Sequence, residues 1–222
     1  MAKKAGLVLV SPAKGMIARR RIRKLKVQQG FAKDTMIIAS TGYRTFVEER
    51  GELSQVLQNC REAKIMLLHP DSEGAMIRAK SVGADENMEG FREQIRLSIG
   101  LLKELRSRQR NVRLKLYQDA PFLKMAILGD YLWVQYYHPS IETQDMPKYV
   151  FKDKQDRGSL FVPFYQYFLS RWHNTAIPEY DLDRDELVFR DCAGREIGRG
   201  ALLTGFEESP PEASAAGLGP WS

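Results

Sequence analysis

Residues 122–138 read FLKMAILGDYLWVQYYH, and the fold turns on them. Two apolar and aromatic runs, 122–128 and 131–138, flank the pair Gly129-Asp130. A two-residue loop with Gly in first place supplies the positive φ that a type II′ turn needs, so the runs are expected to pair as an antiparallel hairpin. Alternation along the second run sets Tyr131, Trp133, Gln135 and Tyr137 on one face and Leu132, Val134 and Tyr136 on the other. The face with the rings carries no Leu or Val and is the expected surface for self-association or partner contact.

Upstream the signals alternate between strand and helix. VRLKLYQ (112–118) reads as a strand, separated from the hairpin by Asp119-Ala-Pro121. Before it, Phe91, Ile95, Ile99, Leu102 and Leu105 recur at helical spacing and predict a helix over 88–108. TMIIAS (35–40) and KIMLLH (64–69) are short apolar runs of the kind buried on both faces, the second stopped by Pro70. Between them Thr45-Phe-Val-Glu48 reads as a capping box, opening a helix that runs to about Ala63 with Phe46, Leu53, Val56, Leu57 and Cys60 on its apolar stripe.

Downstream, 139–157 reads as a polar loop, SLFVPF (159–164) as a further strand and YQYFLSRWHN (165–174) as an aromatic helix, in which His173 is expected to pack beside Trp172. ELVFRDCAGREIGRG (186–200) reads as a hairpin turned at Ala193-Gly194, and the Pro-, Ser- and Ala-rich end is too poor in apolar residues to fold. The expected class is therefore α/β, a mixed sheet flanked by helices with a C-terminal β-hairpin addition. Its expected divisions are a basic arm (1–33), an α/β domain (34–178), the hairpin extension (179–206) and a disordered tail (207–222).

The 222 residues, 43% of them hydrophobic, can bury a core of ordinary size. No apolar run approaches the ~18–20 residues that span a bilayer, and the start lacks the zones of a secretory signal, so a cytoplasmic location without a membrane span is expected. Cys60 and Cys192 have no CxxC spacing, which argues against a disulfide scaffold or a cysteine zinc site. The formal charge of +6 is concentrated in residues 1–34, with ten Lys/Arg against the single acid Asp34. Arg19, Arg20, Arg21, Arg23, Lys24 and Lys26 are the expected nucleic-acid contacts, since a dense cationic segment attracts polyanions through counterion release. Ile17, Ile22, Leu25 and Val27 interleave with these charges and suggest a segment that folds on something.

Ser40-Thr41-Gly42 precedes the capped helix, whose free N–H groups and dipole would suit a phosphate, and Arg78 and Lys124 could add charge. His69 would stand at the same carboxyl edge if the central strands are parallel. Neither HExxH nor carboxylates at metal spacing occur, and GxGxxG and GxxxxGK[ST] are absent, so no metal or cofactor is expected.

The stretch Phe122-Leu-Lys124-Met-Ala-Ile-Leu-Gly129-Asp130 resembles the phospholipase D-like superfamily, whose motif is His-x-Lys, four residues, then Asp on the first strand of a hairpin. Leu68-His69-Pro70-Asp71-Ser72 followed by Arg78 is similar to the segment before the long helix in some members. The resemblance implies a single phospholipase D-like module. In active members the His attacks phosphorus, the Lys neutralises phosphate oxygens and the Asp supports the His, with two motifs completing one site. Here Phe122 replaces the nucleophile, Gly129 stands at the Asp place, and only Lys124 persists, so no catalytic residue is assigned. Three readings follow. The first is a catalytically inactive module that binds nucleic acid or a phosphate-bearing ligand within a larger bacterial assembly, with protein partners and homodimerisation implied by the resemblance. The second is a phosphodiesterase or nuclease of altered chemistry around His69 or His138. The third is a structural oligomerisation subunit.

Overall fold

A computed structural model describes residues 5–11, 16–48, 51–82, 88–108, 110–141, 143–154 and 158–202, with only the backbone of 16–19 and 144. Ten strands form one sheet: β1 (Leu7–Ser11), β2 (Asp34–Ile38), β3 (Glu62–Leu68), β4 (Val112–Tyr117), β5 (Leu123–Leu128), β6 (Tyr131–Tyr136), β7 (Lys148–Lys152), β8 (Glu179–Asp181), β9 (Glu186–Arg190) and β10 (Glu196–Ala201). Their order is β1-β7-β6-β5-β2-β3-β4-β8-β9-β10. Only β2–β3 and β3–β4 are parallel, and the other pairings are antiparallel. Among the described residues six helices flank it: α1 (Met16–Gly30), α2 (Tyr43–Phe46), α3 (Ser54–Asn59), α4 (Glu73–Ser81), α5 (Met88–Ser107) and α6 (Phe161–Trp172). The mixed α/β class read from the sequence is the class observed.

The parallel strands lie at the centre because they are apolar on both faces; Ile37, Ile65, Leu67 and Leu68 are fully buried. Parallel neighbours need crossovers, which α2 with α3 and α4 with α5 supply. The α1 helix joins α3 on this face, where its Gln29 meets Trp133 of β6. Phe151 of β7, one residue from the partner of Trp133, points to the opposite face and packs on Phe164 of α6 at 6.0 Å. Trp172, at the other end of α6, lies 5.5 Å from the Arg113 guanidinium on β4, so this helix crosses several strands. The β5–β6 hairpin forms as expected, with Gly129 at φ 56° and no positive φ at Asp130, as a type II′ turn requires.

Several expectations are corrected. The helix predicted from Thr45 to Ala63 is broken into α2 and α3, and Thr45 lies inside α2 rather than capping a helix. Gly51 is the breakpoint: a Cβ there would stand 2.9 Å from the Thr45 carbonyl oxygen. The apolar stripe is still buried, through Phe46, Leu53, Val56 and Leu57. Residues 159–164 are not a strand. They lead into α6, where Pro163 is tolerated because the first turn of a helix has no intrahelical use for its N–H groups. The expected loop 139–157 contains β7, whose Val150 and Phe151 are buried.

Residues 7–11 and 16–30, read as part of an appended arm, form the edge strand β1 and the covering helix α1, with Ile22, Lys26 and Gly30 turned inward at i, i+4 and i+8. The face with Trp133 and Gln135 is therefore not free for self-association; α1 covers it and both residues are buried. His173 is exposed at the end of α6, and Trp172 stacks instead on Phe168 at 5.8 Å. The C-terminal hairpin forms, but β8 joins it to β4, so it continues the one sheet. The expected tail 207–222 lies outside the described residues.

A lysine-lined cleft as the candidate functional site

Strand register builds the site. Lys124 on β5 is paired with Gln135 on β6, and Lys148 on β7 with Ser11 on β1. Because Val134 faces Tyr149, the next pair along β6 and β7 is Gln135 with Lys148. Residues directly opposite in antiparallel strands share a face. Lys124, Gln135 and Lys148 thus form a row across three strands, on the face that α1 covers. From α1, Lys26 reaches down over the Trp133 ring, 4.6 Å from its centroid. Together with Thr45 and Leu53 these side chains line one cleft.

Lys26 and Lys148 are buried and both bind the carboxylate of Glu52, from the loop between α2 and α3. Half-buried Lys124 has no hydrogen bond or ion pair among the described residues. Among the described residues, three lysines and the Glu52 carboxylate meet at this cleft. Burial pushes the Lys26 ammonium down to about 7, against which the adjoining Glu52 carboxylate works. Burial first, then the positive charges of Lys26 and Arg44, bring Lys124 down to about 7, while Glu48 opposes the shift. A cleft with desolvated ammonium groups can neutralise an anion or hold a neutral amine as a base.

Of the six residues expected to bind phosphate, only Lys124 lines this cleft. Ser40, Thr41 and Gly42 make a local turn. The Ser40 amide donates to the Tyr137 hydroxyl at 2.8 Å, Thr41 Oγ1 accepts from the Tyr43 amide, and Gly42, at φ 75°, begins α2. With four residues, α2 has no dipole to offer an anion. His69 does stand at the same carboxyl edge, next to Ser40 through the Leu68 N–H to Ser40 carbonyl bond, because β2 and β3 are parallel. Its Nδ1 accepts from the Asp71 amide and its carbonyl accepts from Ser72 Oγ, which in turn caps α4. Burial lowers its pKa, with Asp71 opposing. Arg78 is a strut: it donates to Ser81 Oγ, the His138 carbonyl and Thr143 Oγ1, and lies 4.6 Å over the Tyr137 ring.

The motif positions separate. Phe122 is 63% exposed and meets Tyr136 edge-on at 5.5 Å. Asp130 is exposed in the turn, and the four residues of strand from Lys124 to Leu128 put roughly 14 Å between Lys124 and the start of that turn. Among the nucleic-acid candidates Arg20, Arg21 and Lys24 are exposed on α1, Arg23 is half-buried and Lys26 is turned inward; the side chain of Arg19 lies outside the described ones. Lys148, Glu52 and Gln135 were not singled out in the sequence, where Lys148 reads as loop and Glu52 as the polar side of a helix. Among the described residues no group of three His, Cys, Asp or Glu could hold a metal ion, and no helix is long and apolar enough to cross a membrane.

No family model matches the chain and no curated protein matches it. Among solved structures it is similar to TrmBL2, described as an archaeal chromatin protein with a novel mode of DNA binding, at 13% identity and a TM-score of 0.43. The match covers 77% of this chain and 52% of that one, so the chain spans about half the length of the structure it matches. A likeness of this size carries no functional argument.

Proposed function

We propose that the chain is a catalytically silent, phospholipase D-like binding module that holds a phosphate-bearing ligand in the lysine cleft. One observation carries this reading: Lys124, without a hydrogen bond or ion pair among the described residues, lines the same cleft as Lys26 and Lys148, both of which bind Glu52. Lys124 occupies the motif place whose lysine neutralises phosphate in the resembled superfamily, while Phe122 and Gly129 leave no attacking or supporting group. Silence in the family reaction follows from that loss. Calorimetric titration of the full chain with inorganic phosphate should give saturable binding that Lys124→Gln abolishes. Hydrolysis of bis-nitrophenyl phosphate that disappears on His69→Ala or His138→Ala would replace this reading with the enzymatic one.

A second reading, nucleic-acid binding, is favoured by the exposed Arg20, Arg21 and Lys24 on the outer side of α1. Phosphate contacts by these side chains would give sequence-independent, salt-dependent affinity. A gel-shift series in rising salt tests it, and affinity indifferent to salt would rule out this face.

A further inference from the structure

We propose that the outer face of α1 and the turn after it bind single-stranded nucleic acid, with the Phe31 ring as a stacking platform for a base. The inference rests on the reading of α1 as a nucleic-acid face and deepens it by naming the strand class and the side chain that selects it. Spacing along the chain is the first ground. Arg20, Lys24, Gln28 and Phe31, the last one residue past the end of α1, follow at i, i+4, i+8 and i+11, so they stand in one stripe, and all four are exposed. At about 1.5 Å per residue the stripe runs roughly 16 Å. Lys33, also exposed, continues it past the ring. Cations therefore stand on both sides of an aromatic residue that is 62% exposed and meets no other ring among the described residues.

The second ground is how the ring is held. Gly30 lies so close to α3 that a Cβ would stand 2.5 Å from Val56 Cγ1, the Ala32 amide donates to the Asn59 carbonyl at 2.9 Å, and the Lys33 amide donates to the Gly30 carbonyl at 3.2 Å. The ring is thus presented on a fixed frame, and a preorganised contact loses little freedom on binding. Charge is the third ground. No acid occurs along α1, and α3, packed beside it, turns Gln55, Gln58 and Asn59 outward. Asp34, the nearest carboxylate in the sequence, accepts two hydrogen bonds from Arg61, and Glu52 is bound by Lys26 and Lys148 on the inner side. A polyanion on these two helices would meet cations, carboxamides and a ring. The cations serve a duplex and a single strand alike, because both offer phosphates. The ring separates the two: bases in a duplex are stacked on one another and closed to a side chain, whereas an unpaired base has a free π-face.

The test is fluorescence anisotropy of labelled oligouridylate, oligodeoxyuridylate and a DNA duplex of equal length, each titrated with the full chain. The single strands should bind more tightly than the duplex. Phe31→Ala and Phe31→Leu should each weaken single-strand binding by about fivefold or more, since stacking needs the ring and not apolar bulk, and Phe31→Trp should retain it. Neither loss should change the slope of log affinity against log salt, because Phe31 carries no charge. Duplex affinity should be the same for the variants and the parent chain. Equal affinity for single strand and duplex, or single-strand binding indifferent to Phe31→Ala, would overturn the inference while salt-dependent binding leaves the nucleic-acid reading standing. Failure of all three probes to bind in a salt-dependent way would overturn that reading as well. Tighter binding of oligouridylate than of its deoxy form points to RNA and the reverse to DNA; either order, above the duplex, supports the single-strand site.

Discussion

Replacing Lys26 with Met should stabilise the protein near neutral pH and flatten its stability on the alkaline side. Lys26 is 4% exposed, and its ammonium sits at about 7 rather than the usual 10.5. Each pKa unit is worth about 1.36 kcal/mol, so the depression sets an upper bound of about 5 kcal/mol on the folding free energy this group withholds. The Glu52 carboxylate offsets part of that, and about 2–5 kcal/mol brackets the effect. The sign follows from proton counts. Between pH 7 and about 10 the unfolded chain keeps the lysine proton while the folded chain has shed it, so stability rises with pH through this window. Below pH 7 the cost is full and constant. Met matches the length of the aliphatic stem, and Glu52 retains Lys148 as its partner. Urea unfolding of both proteins at pH 7, 8, 9 and 10 measures the difference. A wild-type stability flat across this range, with Lys26→Met clearly less stable at pH 7, would refute the reasoning and make Lys26 a net stabilising ion pair.

Anion affinity should itself depend on pH. Lys26 and Lys124, facing Lys148, Glu52, Glu48 and Arg44, lose their protons above about 7, so methyl phosphate should bind up to about tenfold more weakly per pH unit for each proton the complex requires; affinity constant from pH 7 to 9 would contradict this. Gly51→Ala should cost about 1–3 kcal/mol in urea unfolding, because its methyl group would press on the Thr45 carbonyl and the Phe46 backbone, and a loss below about 0.5 kcal/mol would show that the loop yields freely. The triple change of Arg20, Arg21 and Lys24 to Ala should lower the slope of log affinity for double-stranded DNA against log salt by roughly 2–3, and an unchanged slope would place nucleic acid elsewhere on the protein.

Much of this molecule is written in local pattern. The buried runs 35–40 and 64–69, the 88–108 periodicity and the Gly129-Asp130 turn each act over a few residues, so the central parallel strands, α5 and the β5–β6 hairpin could be read directly. Reading failed where a distant partner decides the outcome. LVLV at 7–10 is a strand because β7 offers it an edge, and Lys26 is buried because Trp133 and Glu52 wait beneath α1. The long helix failed at Gly51, where backbone from Thr45 and Phe46 comes too near for a side chain.

The candidate site divides in the same way. Lys124 could be read from one strand, since side-chain alternation and residue chemistry are local properties. Lys148, Glu52 and Lys26 come from β7, a loop and a helix, and only sheet register and the packing of α1 bring them to one cleft. Sequence by itself determined which cations the chain carries and where along the chain they fall. Tertiary structure alone decided which cations lose their water and face one another, because desolvation and charge balance depend on distances through space.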